Sequence, residues 1–224
     1  MHTRLTRWRK LGPALTVVVV LALVVGVVAV VAALDGAQRA AARPTVASVW
    51  QTLAAKPLHL ARLAPGQVCA PSLVQRSVSP DYTFTAGNGP VYVIAASANG
   101  VFTYIPPDLF SAGQGTTSTP ALGGTKVRWQ IAPGYTGPVL IRGRQLDGPD
   151  QLYFNGGLDQ PAGNALGTEP VLSQLRLMGG GATAPSWPTW VTLTRLAHPG
   201  CYAYQVDGAS FSYTITFQAV SEAG

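Results

Sequence analysis

The side chains with the most chemistry in this sequence are two cysteines, Cys69 and Cys201. A pair of thiols forms a disulfide, stays free, or contributes to a metal site. A closed zinc site needs four nitrogen or sulfur ligands, and two cysteines are too few. A cysteine nucleophile needs a free thiolate and a nearby base. Which outcome holds depends on the compartment, because disulfides persist only where the surroundings are oxidising.

Other chemistry is sparse. No Gly-x-Ser-x-Gly elbow occurs, so the usual serine-hydrolase signal is missing. His59 and His198 are the histidines outside the N-terminal tail, and His198 stands in a turn before Pro199. Glycoside hydrolysis needs two carboxylates flanking one bond. Asp81, Asp108, Asp147, Asp150, Asp159, Glu169, Asp207 and Glu222 are available, but most stand beside Gly or Pro, where aspartate serves turn geometry. Asp147, Asp150, Asn155 and Asp159 gather hard oxygen ligands without the spacing of a calcium loop. No metal site and no cofactor are expected, and the chain does not read as an enzyme. The clearest surface signal is "PSWPTW", with Trp187 and Trp190 three residues apart, and Tyr135 borders another loop. Aromatics at such places bind sugars or partner proteins, or else cap the end of a core.

Something must hold these groups, and composition narrows it to turn-rich β structure. Charged residues make up 11% of the 224, while 25 Gly and 18 Pro punctuate the chain. The net charge of +6 is concentrated: Arg4, Arg7, Arg9 and Lys10 precede residue 11, leaving 11 basic against 9 acidic residues from position 35 onward. A basic footprint for nucleic acid is therefore absent from the region expected to fold.

The basic cluster leads into "LGPALTVVVVLALVVGVVAVVAAL", Leu11 to Leu34, which carries no charge. As a helix it is about 36 Å long, enough to cross a hydrocarbon core of about 30 Å. The positive-inside rule keeps the N-terminus cytoplasmic and exports the rest. The alternative is a signal peptide cleaved near Val31-Ala32-Ala33, although the run is longer than the ~7–15 residues usual for such segments. Export makes a Cys69–Cys201 disulfide the simplest reading of the two cysteines.

Beyond the anchor, Val46, Val49, Trp50 and Leu53 fall on one face of a short helix ended by Pro57, with Thr45 as its N-cap. Trp50 suits either packing on the domain or the membrane interface. Strands are expected at 126–131, 138–146, 151–154 and about 189–196, with 171–178 either strand or helix. "VYVIAASANGVFTYI" reads as a hairpin turning at Asn99-Gly100. "CYAYQVDGASFSYTITF" reads as a second hairpin with a type I′ turn at Asp207-Gly208. That turn sets Val206 opposite Ala209, Tyr204 opposite Phe211 and Tyr202 opposite Tyr213. Tyr202, Tyr204, Val206, Phe211, Tyr213, Ile215 and Phe217 then share an apolar face, and the other face, with Gln205, is expected to meet water. Cys201 belongs at the rim of the core.

"VWQTLAAKPLHL", "GPVLIRGRQLDG" and "HPGCYAYQVDG" resemble a pattern that recurs in membrane-anchored or secreted proteins of high-GC bacteria with a C-terminal "PGCYAYQVDG" hairpin. The resemblance runs from Trp50 to Phe217 and places Cys69 and Cys201 in equivalent positions. It implies no activity and no functional residue.

About eight short strands predict an all-β, immunoglobulin-like antiparallel β-sandwich after an N-terminal transmembrane helix. The expected organisation is a cytoplasmic tail at 1–10, the anchor at 11–34, a juxtamembrane linker and short helix at 35–56, and the sandwich at 57–224. The expected role is an extracytoplasmic binding or scaffolding domain, held in the cell membrane through residues 11–34 or secreted after cleavage. Its expected partners are an envelope polysaccharide or another envelope protein. The alternatives are a carbohydrate or cell-wall-binding module using Trp187, Trp190 and Tyr135, or a wall-acting enzyme.

Overall fold

The computed structural model describes residues 46–72, 74–76, 82–94, 99–110, 122–160, 170–180 and 187–222. The anchor run 11–34 lies outside the described residues, as do Thr45, Asp81 and Glu169. Among the described residues no helix is long and apolar enough to cross a membrane.

One helix, α1 (Val46–Ala54), precedes eleven strands: β1 (Val74–Arg76), β2 (Phe84–Ala86), β3 (Val91–Ile94), β4 (Val101–Tyr104), β5 (Gly123–Ile131), β6 (Pro138–Gln145), β7 (Tyr153–Asn155), β8 (Leu175–Met178), β9 (Thr189–Leu196), β10 (Gly200–Gly208) and β11 (Ser212–Ser221). They form two sheets, ordered β1-β2-β3-β5-β9-β7 and β4-β11-β10-β6-β8. The region is an all-β sandwich.

Alternation builds the core. Val127, Trp129 and Ile131 of β5 point inward from one sheet, and Tyr202, Tyr204 and Val206 of β10 point inward from the other. The Trp129 and Tyr204 rings meet edge to face at 5.0 Å, and Tyr204 stacks on Phe217 at 4.6 Å. The Tyr204 hydroxyl would be an orphan here, but it lies 2.9 Å from Thr194 Oγ1. Gly143 lacks a side chain for a reason of space. A Cβ there would stand 2.5 Å from the Ala203 carbonyl oxygen and 2.6 Å from Leu152 Cδ1.

Three expectations need correcting. "VYVIAASANGVFTYI" is not a hairpin: β3 joins the six-stranded sheet and β4 the five-stranded one, so the chain changes sheets there. β4 then runs parallel to β11, so the sandwich is not wholly antiparallel. The terminal hairpin exists, but in another register. Val206 faces Tyr213, Tyr204 faces Ile215 and Tyr202 faces Phe217, while Asp207 pairs with Ser212. The turn is residues 208–211, closed by Gly208 N donating to Phe211 O at 3.0 Å. No residue at 207 or 208 has the positive φ that a type I′ turn requires. The slip is an even number of residues, so the apolar face survives intact.

A fourth correction concerns the other face of β10. Every residue of this strand is buried. Residues 48–72 form an arm that lies over the outer face of the five-stranded sheet. Trp50 and Leu53 of α1 pack on Leu140, and the Arg176 guanidinium sits 5.4 Å from the Trp50 ring centre. Beyond the helix the arm is extended and is gripped mainly by its backbone. Arg142 donates to the carbonyls of Ala54 (3.2 Å) and Lys56 (2.9 Å), and Arg144 donates to that of Leu60. Gln205 donates to Pro57 O at 2.9 Å and accepts from His59 N at 2.6 Å. The Cys69–Cys201 disulfide, Cα to Cα 5.5 Å, ties down the far end beside Leu60 and Leu146.

Asp207, expected as a turn residue, anchors this layer. It is fully buried, pairs with Arg142 at 2.8 Å, and accepts from Ser212 Oγ at 2.7 Å and from Gln205 Nε2. Removing one partner of a buried pair leaves an uncompensated charge. Asp207→Ala is therefore expected to cost about 3–5 kcal/mol in urea unfolding. Asp159→Ala, which breaks the more exposed pair with Arg176, should cost less than about 1 kcal/mol.

Burial also raises the pKa of the Tyr202, Tyr204 and Tyr213 phenols above the ordinary 10.0. The folded chain holds these protons more tightly than the unfolded one. That stability is intact below about pH 10 and is lost as pH climbs through the raised values. Absorbance near 295 nm should show these tyrosines ionising only together with alkaline unfolding.

Candidate functional site

Strand directions gather the notable side chains at the two ends of the sandwich. At one end four connections converge: residues 87–90, 132–137, 208–211 and the approach to β9. Ala132 N donates to Pro90 O at 2.7 Å, Ile131 N to Pro188 O at 3.0 Å, and Gly179 N to Gly137 O at 3.0 Å. Tyr92, Tyr135, Trp187, Trp190, Phe211 and Tyr213 all stand half-buried here.

These aromatics divide into two groups. Tyr135, Trp190, Phe211 and Tyr213 pack against the end of the main core. Trp190 is paired with the inward-facing Trp129 and shares its side of the sheet. Its Nε1 reaches across to the second sheet and donates to Met178 O at 3.2 Å. Tyr135 donates its hydroxyl to Pro138 O at 2.8 Å and meets Phe211 edge to face at 5.5 Å. Burial raises its pKa. Tyr213 donates to the Val91 carbonyl, again bridging the sheets. Polar tips bound to backbone carbonyls and rings against the core are the marks of structural plugs.

Trp187 differs. Its ring contact is with Tyr92, edge to face at 5.9 Å. Tyr92 alternates with the fully buried Val91 and Val93, so it points to the outer face of the six-stranded sheet. Trp187 and Trp190, neighbours in "PSWPTW", thus serve opposite sides of one sheet. The sequence reading missed Tyr92. Its signal was the middle position of "VYVI", an aromatic in the outward phase.

The other end holds the histidine. His198 Nδ1 lies 2.6 Å from Asp150 Oδ2, and the histidine side chain is 71% exposed. A histidine held by a carboxylate is the arrangement that activates a neighbouring hydroxyl, where one is in reach. The hydroxyl hydrogen-bonded to this turn is that of Tyr202, which donates to His198 O at 2.7 Å. Burial first, and then Asp150, raise the pKa of that phenol, so it is a poor nucleophile. Asp147 accepts from Cys201 N at 2.9 Å, tying the disulfide's strand to the loop after β6. The hard oxygen ligands that cluster in sequence are dispersed in space: Asp147 and Asp150 serve this end, Asn155 is buried against Arg195, and Asp159 pairs with Arg176. Among the described residues no three His, Cys, Asp or Glu side chains gather as a metal site. His59 contributes its backbone to the arm and leaves its side chain exposed.

The two tryptophans separate in an unfolding experiment. Trp190→Ala opens the end of the core and should cost about 3 kcal/mol. Trp187→Ala removes a surface ring and should cost about 1 kcal/mol or less. Equal losses would place both rings in the core.

No protein-family model matches the chain, and no curated protein matches it. Among solved structures, the chain is similar to one from Bacillus anthracis described as the "X-ray Crystal Structure of a Putative Lipoprotein". The identity is 9% and the TM-score 0.38, over 74% of this chain and 97% of that one. A likeness of that size assigns neither fold nor role.

Proposed function

We propose that this protein is a membrane-anchored, extracytoplasmic β-sandwich of binding or scaffolding type. The disulfide supports the compartment, since such bonds persist in oxidising surroundings. The uncharged run 11–34 behind four basic residues supports an uncleaved anchor with the N-terminus in the cytoplasm. The neighbours β3-β5-β9-β7 and β11-β10-β6 correspond to the A-B-E-D and G-F-C sheets of an immunoglobulin-like sandwich. One departure is that β8 follows β7 in the chain but returns to the opposite sheet.

One observation carries the binding role. The buried polar groups of the arm layer and the loop ends are engaged in holding the scaffold, while the Tyr92–Trp187 pair, half-buried, lies outside the main core. The same pair favours a second reading, a carbohydrate-binding module, because flat aromatic rings stack on sugars.

Topology is tested in cells expressing the full chain. The protein should fractionate with membranes, should run faster on gels without reductant than with it, and should be cleaved by protease added outside spheroplasts. Protection from that protease would reverse the assigned orientation. Release of the mature domain into the medium would replace the anchor with a cleaved signal.

A further inference from the structure

The two sheets differ in the sign of their charges: the five-stranded one carries both signs, and the six-stranded one carries only cations, of which Arg195 is buried against Gly123, Leu122 and Asn155. The five-stranded sheet carries Arg142, Arg144, Arg176 and Asp207, and all four side chains have partners. No strand of the six-stranded sheet contains an Asp or Glu. Its central strand β5 places Lys126 and Arg128 on the outer face, since Val127 and Trp129 between and after them are buried inward. Both cations are exposed, and neither enters an ion pair among the described residues.

Register lays these groups in consecutive outer rows. Lys126 lies opposite Leu193, Arg128 opposite Val191, and the next row reads Tyr92, Gln130, Thr189. Same-face rows are about 7 Å apart along a strand. Two like charges at that spacing repel each other. Leu193 and Gln130 in these rows are buried, so the two cations are the exposed part of β5's outer face, and the Tyr92–Trp187 ring pair lies in the row beyond Arg128. Cations in register with a stacking platform complement a chain that alternates sugar rings with negative groups.

We propose that the outer face of the six-stranded sheet is a docking surface for an anionic polysaccharide. Lys126 and Arg128 meet its carboxylates or phosphates, and Trp187 with Tyr92 stacks on an adjoining sugar ring. This rests on the binding role above and names its ligand class and its face.

The test uses the full chain reconstituted in zwitterionic phosphatidylcholine vesicles, with fluorescent polygalacturonate as the probe and uncharged dextran as the control. The wild type should bind polygalacturonate and not dextran. Binding should weaken as salt rises from about 50 to 300 mM, where screening shortens to a few ångströms. Lys126→Glu/Arg128→Glu should lose about tenfold or more in affinity, while keeping its disulfide mobility shift and native tryptophan emission. Trp187→Ala should weaken binding and leave the salt dependence in place. Equal binding of dextran, or a charge-reversed variant that binds within twofold of wild type, overturns the anionic-ligand assignment and leaves a binding module intact. Absence of binding to either polymer removes the polysaccharide from this face, and the protease-accessibility experiment then judges the anchored scaffold separately.

Discussion

The structure depends on one buried polar layer. Arg142 and Arg144 of β6 and Gln205 and Asp207 of β10 stand on the outer face of a sheet that would otherwise meet water. They are covered instead by the arm, whose carbonyls and amide Arg142, Arg144 and Gln205 bind directly, while Asp207 accepts from Arg142 and Gln205 beneath it. Burying such groups is tolerable only when each has partners, because an unpaired buried charge costs several kcal/mol. The arm supplies them to Arg142, Arg144 and Gln205, and Asp207 finds its own within the sheet. Without the arm the central strand of the sheet would expose a carboxylate, an amide and a cystine sulfur that are now fully enclosed.

This arrangement explains where the disulfide falls. The arm offers few large side chains for burial beyond Trp50, Leu53 and Leu60. A segment held mostly by main-chain hydrogen bonds earns only a modest net stabilisation from each. Linking its end to the start of β10 removes conformational freedom that those bonds alone would have to overcome, and the closed loop spans 132 positions. The same strand thus carries the aromatic core on one face and the cystine, Gln205 and Asp207 on the other. The opposite sheet has no comparable cover over Lys126 and Arg128 among the described residues, and the two faces of the molecule differ accordingly in charge and access.

Several features were legible before any coordinates. Period-two alternation identified the face shared by Tyr202, Tyr204 and Val206, because side-chain phase along a strand is a local property. Helical spacing marked Trp50 and Leu53 as one face of a helix. Asp207 was misread because an Asp-Gly pair is a strong turn signal in isolation, and nothing nearby announces Arg142, its partner 65 residues earlier. Asn99-Gly100 misled in the same way: the turn is real, but the chain passes to the other sheet after it. "PSWPTW" drew attention to two tryptophans as a unit, although the backbone separates them, one as an inner plug and one as an outer ring.

The sequence by itself determined strand character, the pairing-competent cysteines, the apolar run and the inward aromatic rows, since each follows from composition, spacing or alternation within a short window. Tertiary structure alone decided the hairpin register, the parallel β4–β11 edge, the burial of the second face of β10, and the company each tryptophan keeps. The reason is one of range. A strand's periodicity says which residues share a face, but only the partner layer, here an arm more than 130 positions away in the chain, decides whether that face meets water or protein.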